Sequence, residues 1–330
     1  MHKNVLTAAF VLSGIAQAAH ADAPKVVTDI APIYSIVSKV MNGVGEPTLI
    51  VEQAASPHDF ALRPSHAQAL EQADVVVSVS EGLAPWLVRP IETLATQAEV
   101  IYLAEIEGTK VLDTRTGHGV HEAHDDHEEH GDDHEGHDDH GDDDHAEHEE
   151  HHDDHGHSHG DEDPHSWLNP DNGALWAVAI ADVLAEQDPE NEGVYQENAA
   201  SFVSELAEVS AGIEETLKSA NGAFVVQHDS LQYFEDRFQF PSAGAIADGE
   251  AADPGPRRLK NIRALIRDNK VTCVAVEPNF DDRIIQTISP DNELAIVVAD
   301  PLGGKLPLNQ DLYVATLTDI AEGLAECSTR

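Results

Sequence analysis

With 330 residues and a hydrophobic fraction of 41%, the chain has enough apolar material for two domains of ordinary size. It carries 62 Asp and Glu against 18 Lys and Arg, a formal charge of −44. That balance leaves no basic footprint, so no nucleic-acid partner is expected, while an acidic surface attracts cations.

The first 23 residues read as a signal peptide. His2 and Lys3 form a short basic n-region, 5–15 is an apolar h-region, and Ala19-His20-Ala21 and Ala21-Asp22-Ala23 are A-x-A cleavage sites near Ala21 and Ala23. The apolar run is too short to span a bilayer core of about 30 Å, and no later stretch is long enough. An exported mature protein without a membrane span is expected.

From Lys25 onward strands and helices alternate. Residues 25–28 form a short apolar strand ending at Asp29, and 30–41 carry helical spacing with Ile33, Ile36, Val37 and Val40 on one face. Residues 47–51 read as a second strand and 53–60 as a loop. Ser65-His66-Ala67-Gln68 reads as a capping box that starts a helix. Then come strand 74–79, helix 85–97 and strand 99–103. After an interruption, 172–186 and 191–220 are helical. The second is about 45 Å long at 1.5 Å per residue, enough to reach from one domain to another. The strand–helix alternation then resumes. Strand 223–227 ends at His228, followed by helix 231–237, an extended run 241–246, helix 256–268, strand 271–276 ending at Glu277, helix 283–288, strand 294–299 ending at Asp300, and helix 310–327. Strands separated by helices argue for βαβ units. The expected fold is α/β, with two (β/α) lobes of parallel-leaning sheets joined by one long helix. The boundaries are 24–188 for the first lobe, 189–220 for the linker and 221–330 for the second lobe.

The interruption is a tract from His118 to His159 holding fifteen of the 21 histidines, interleaved with Asp, Glu and a few Gly. No Lys or Arg occurs between Arg115 and Lys218. Almost without apolar residues, the tract builds no core, and 117–163 is expected to be a solvated, disordered loop. A solubilising charge run needs no His every three or four residues. Imidazole and carboxylate are both ligands for divalent transition metals. Its candidate metal contacts are His118, His121, His124, His127, His130, His134, His137, His140, His145, His148, His151, His152, His155, His157 and His159. Whether the tract is the site or lies near one is open at this level.

Outside the tract and signal, four histidines remain. His66 falls in the first turn of a helix and reads as solvent-facing. His58 and His165 each follow a Pro, and His228 follows an apolar strand. Ligands of open α/β sheets collect beyond the carboxyl ends of strands, where Glu277 and Asp300 also fall. Three neutral imidazoles and one oxygen make a tetrahedral zinc site. Cys273 and Cys327 are the only cysteines. In an exported protein two cysteines commonly pair, two buried thiols being the other reading.

Four stretches carry a resemblance. They are Ser56-Pro57-His58-Asp59-Phe60-Ala61-Leu62-Arg63-Pro64-Ser65; Asp163-Pro164-His165-Ser166-Trp167-Leu168-Asn169-Pro170; Val226-Gln227-His228-Asp229-Ser230 with Tyr233-Phe234; and Glu277-Pro278-Asn279-Phe280 with Asp300-Pro301-Leu302-Gly303. Together they resemble the metal-binding proteins of zinc- and manganese-uptake ABC transporters, over the chain from about Lys25 to its end. The resemblance implies a periplasmic protein with metal in the cleft between two lobes, and delivery to a membrane permease and its ATPase; a monomer is expected. His58, His165 and His228 fall on the family's three histidine ligand positions. Manganese members have Glu where His228 stands, and a third imidazole suits Zn²⁺. Asp300 matches an aspartate ligand, and Glu277 is a weaker candidate. Some zinc members carry Glu before the first His, where this chain has Pro57. The cysteines resemble a disulfide pair of zinc members. A manganese or iron carrier is the alternative. An exported zinc hydrolase ranks below it, because no H-E-x-x-H pattern or paired catalytic motif occurs outside the tract.

Overall fold

The structure is a computed structural model that describes residues 23–53, 55–115, 162–247, 255–278, 283–290 and 294–329. The signal-peptide reading (residues 1–23), apart from Ala23, and all fifteen tract histidines lie outside the described residues.

Short Val-rich runs become the strands of a buried parallel sheet, because such strands are covered on both faces by their crossover helices. In the first half, β1 (Val26–Thr28), β2 (Thr48–Leu49), β3 (Val75–Ser78) and β4 (Glu99–Tyr102) form one sheet in the order β2-β1-β3-β4. All its pairings are parallel, with Val26 opposite Val75 and Val75 opposite Glu99. The helices of this half are α1 (Ala31–Val40), α2 (Pro64–Glu71) and α3 (Pro85–Leu94), and each has Pro in its first turn. That position costs no hydrogen bond and presets φ. The α2 cap differs from the expected one. Helix begins at Pro64, and the His66 ring nitrogen accepts the Arg63 N–H at 3.3 Å. The reciprocal partner is therefore His66 rather than Gln68.

Two long helices follow, α4 (Pro170–Gln187) and α5 (Glu192–Leu217). At 26 residues α5 is about 39 Å long, shorter than the sequence reading because it ends at Leu217. Its buried residues Tyr195, Ala199, Phe202, Leu206, Ser210, Ile213 and Leu217 recur every three or four positions. They pack α5 against α1 and α4.

The second half contains β5 (Phe224–Val226), α6 (Gln232–Phe238), α7 (Pro256–Asp268), β6 (Cys273–Val276), α8 (Arg283–Ile288), β7 (Ala295–Val298) and α9 (Leu312–Thr329). Its sheet is parallel in the order β5-β6-β7. The extended run expected at 241–246 reduces to one bridge, Ala245 beside Val226. The fold is the expected α/β arrangement of two lobes with parallel sheets.

One hydrophobic cluster runs through both halves, from Val26 and Val75 to Phe224 and Cys273, with α4, α5 and α9 supplying its middle. Helix α9 packs on α1 and α5, so it adds to the joint. Where α4 meets the first turn of α9, a Cβ on Gly173 would lie 2.6 Å from the Tyr313 hydroxyl. Only glycine permits that approach. The two cysteines are fully buried and form a disulfide between β6 and α9, with Cα atoms 5.4 Å apart. No helix among the described residues is long and apolar enough to cross a membrane.

Candidate metal centre

The parallel register of the second sheet gathers three side chains at its carboxyl edge. Val226 pairs with Ala275, and Val276 with Val298. Two residues beyond the Val226–Ala275 pair stand His228 and Glu277, and two beyond Val298 stands Asp300, one step past the residue opposite Glu277, all three just past the carboxyl ends. His165 enters from the other side, immediately before a 3-10 turn at Ser166–Leu168. His58 comes from the loop after β2, where the Pro57 carbonyl accepts the Trp86 indole N–H at 2.7 Å and the His58 N–H donates to Ser56 at 3.2 Å.

These histidines, far apart in sequence, converge. The His165 ring lies 5.4 Å from the His58 ring, edge to face, and 5.4 Å from the His228 ring. His165 is 7% and His228 4% exposed, whereas His58 is half-buried. Each buried imidazole has a carboxylate on its Nδ1. Asp163 Oδ1 lies 2.7 Å from His165 Nδ1 and also accepts the His165 backbone N–H at 2.9 Å. Glu277 Oε1 lies 2.8 Å from His228 Nδ1 and accepts the Ser230 hydroxyl at 3.1 Å. A carboxylate there places the proton of a neutral ring on Nδ1 and the lone pair on Nε2, as outer-shell partners of metal-binding histidines do. Among the described residues no three His, Cys, Asp or Glu already stand in a geometry that could hold a metal ion. The rings are neighbours rather than a closed coordination sphere.

The two carboxylates differ electrostatically. Burial pushes Glu277 up, but its bond to His228 and the charges of His228 and His165 outweigh this and leave it below its ordinary value. Asp300 is held above its ordinary value, chiefly by burial. The Leu302 and Gly304 N–H groups oppose the rise and the charge of Glu277 adds to it. The Asp300 loop is built around Gly303, at φ +65°, where a Cβ would lie 2.3 Å from the Thr316 hydroxyl. The Trp167 indole donates to the Pro301 carbonyl at 2.8 Å, and the Tyr313 hydroxyl to the Trp167 carbonyl at 2.7 Å. Those bonds tie the His165 segment to the Asp300 loop.

His66 stands apart from the three rings. It stacks on Phe60 at 5.7 Å, and burial, then the charge of Arg63, lower its pKa. Asp163 was not legible as a partner of His165, although its place two residues before that histidine was the available signal. It belonged to the expected loop 117–163, yet Glu162 bridges Asp113 and Asp163 is buried. Asp29 was also missed. Fully buried at the end of β1, it accepts the N–H groups of Ile30 at 2.7 Å and Val79 at 2.7 Å and the Ser78 hydroxyl at 2.9 Å. Burial, against those three bonds, pushes it up to about 6.

Comparison with known proteins adds independent findings. The family model ZnuA, zinc-uptake complex component A, periplasmic, matches residues 26–327. The high-affinity zinc uptake system protein ZnuA of Brucella suis biovar 1 is 37% identical over 331 residues, covering 100% of this chain and 99% of its own. That of Paracoccus denitrificans is 38% identical over 324 residues, covering 98% and 97%. A crystal structure of ZnuA matches the fold with a TM-score of 0.71 at 20% identity, covering 92% of this chain and 99% of its own.

Proposed function

Because the chain belongs to the ZnuA family of periplasmic zinc-uptake components, we propose that it captures Zn²⁺ in the periplasm and delivers it to an ABC permease and its ATPase. The observation that carries this reading is the meeting of the His58, His165 and His228 rings in a chain that matches the family from residue 26 to residue 327. The three imidazoles bind through Nε2, with Zn–N distances of about 2.0–2.1 Å. Asp300 supplies the fourth ligand and offsets one of the two positive charges. Glu277 and Asp163 act behind the ligands, fixing ring orientation and raising imidazole basicity. A sphere of three nitrogens and one oxygen suits Zn²⁺ over Mn²⁺, which favours oxygen ligands.

The tract histidines, outside the described residues, serve as an accessory collector or sensor that raises local zinc. A cavity next to this region is acidic too. Glu81, Glu105, Glu162 and Asp163 line a cavity of about 200 Å³ beside His165. Histidine ligands must be deprotonated to bind, so affinity falls as pH drops through the imidazole range near about 6.5. Equilibrium dialysis of zinc at about pH 7.5 and about pH 5.5 tests the proposal. Weaker binding at the lower pH is expected, and equal affinity at both would count against a histidine site.

A further inference from the structure

We propose that Arg115 is a positioning residue that holds the His228 turn in place and slows the release of zinc. The inference rests on His228 being a ligand, as proposed above. Arg115 lies in the segment that leads into the His/Asp tract, yet it reaches across to the second lobe. Its Nε donates to Asp229 Oδ2 at 2.9 Å, a terminal nitrogen binds the other Asp229 oxygen, and the second terminal nitrogen donates to Glu235 Oε2 at 2.9 Å. All three contacts span more than 110 residues of sequence. Asp229 directly follows His228, and Glu235 is 3% exposed on α6.

The 228–230 turn is thereby gripped from two directions. Glu277 holds the His228 ring and the Ser230 hydroxyl, while Arg115 holds Asp229 with both arms of a fork. Both segments that flank the tract are fastened to the same helix. Lys110 pairs with Asp236, the Gln232 amide donates to the Asp113 carbonyl at 3.1 Å, and the Tyr233 hydroxyl accepts the Leu112 N–H at 2.9 Å while donating to the Asp163 carbonyl at 2.8 Å. Asp163 in turn holds His165. Arg115 thus closes a chain of contacts that fixes the spacing of two of the three rings. A fork matched to a carboxylate, with a third donor for a buried one, is a task for guanidinium that an ammonium cannot repeat.

A purely structural ion pair would lower stability without acting on release. Arg237 supplies the comparison, since it joins α6 to Asp171 at 2.7 Å and Glu214 at 3.1 Å, and neither partner borders a ligand. The test is stopped-flow release of zinc from the loaded full-length chain into excess chelator, with thermal unfolding of the zinc-free forms alongside. Arg115→Ala should speed release by at least about tenfold, the scale of one hydrogen bond to a charged group. Arg115→Lys should fall between it and the parent. Arg237→Ala should lower the melting temperature and leave release unchanged. If Arg115→Ala does not fold, Arg115→Lys and Asp229→Asn, which keeps the Glu235 contact, must still speed release. Unchanged release in the folded Arg115 and Asp229 variants, or equal acceleration by Arg237→Ala, overturns the proposal. His228→Ala is measured in parallel. If it retains the tight site, the ligand reading itself fails, whereas its loss of that site beside a silent Arg115→Ala condemns the clamp alone.

Discussion

Replacing Glu277 by Gln isolates the electrostatic part of the contact proposed to stand behind the ligand His228. The substitution keeps the shape of the side chain. The amide oxygen still accepts from His228 Nδ1, now 2.8 Å from Glu277 Oε1, and from the Ser230 hydroxyl at 3.1 Å. What disappears is a buried negative charge that raises the basicity of the ring and compensates the incoming cation. Outer-shell partners of this kind are worth about 10–100-fold in metal affinity, or about 1.4–2.7 kcal/mol. Competition of the Glu277→Gln chain against a zinc chelator at neutral pH should therefore show a dissociation constant about 10–100-fold higher than that of the parent. The same variant has a signature without metal. The Glu277 carboxyl is held below its ordinary value of 4.5. Its contribution to stability is therefore present above that value and lost as pH falls through the lower folded one. Denaturant unfolding of the zinc-free chains should show the parent ahead at neutral pH and the gap closing below about pH 4. An affinity within twofold of the parent would refute the role of Glu277 behind His228.

Asp29 predicts the opposite pH trend. Its pKa rises from 3.8 to about 6 on folding, so its contribution is complete below the unfolded value and lost as pH climbs past the folded one. Relative to Asp29→Asn, the parent should lose about 3 kcal/mol between about pH 3 and pH 8, and parallel unfolding curves would contradict this. The Cys273–Cys327 bridge joins residues 54 apart, and the chain-entropy relation gives about 4 kcal/mol for a loop of that size. The double variant Cys273→Ala/Cys327→Ala should lose about that much in denaturant titration, and an unmoved midpoint would show that the closed loop adds nothing.

The strands and helices were legible where one signal dominated. Val75, Val76 and Val77 make a run that only a doubly covered strand explains, and α5 shows its buried face every three or four residues. His228, Glu277 and Asp300 could be placed at strand ends from sequence, because each closes an apolar run. Their standing side by side could not, since that depends on the register of β5, β6 and β7. Asp163 was absorbed into the acidic tract, because composition alone does not separate its last carboxylate from those before it. The role of Asp29 depends on Ser78 and Val79, about 50 residues away, and no local pattern announces such a contact. The cap of α2 was misplaced because Ser65 satisfies the motif, while Pro64, with its fixed φ, starts the helix with Arg63 as its cap, two residues earlier.

The measurement that bears most directly on the metal centre is zinc titration at neutral pH of five chains: the parent, His58→Ala, His165→Ala, His228→Ala and a chain lacking residues 118–159. The parent should show a tight site that each single substitution weakens by more than about a hundredfold, beyond what an outer-shell partner is worth. The deletion should keep that site and lose only further, weaker capacity. Tight binding that survives all three substitutions and vanishes with the tract would place the metal on the tract histidines and contradict a site built from His58, His165 and His228.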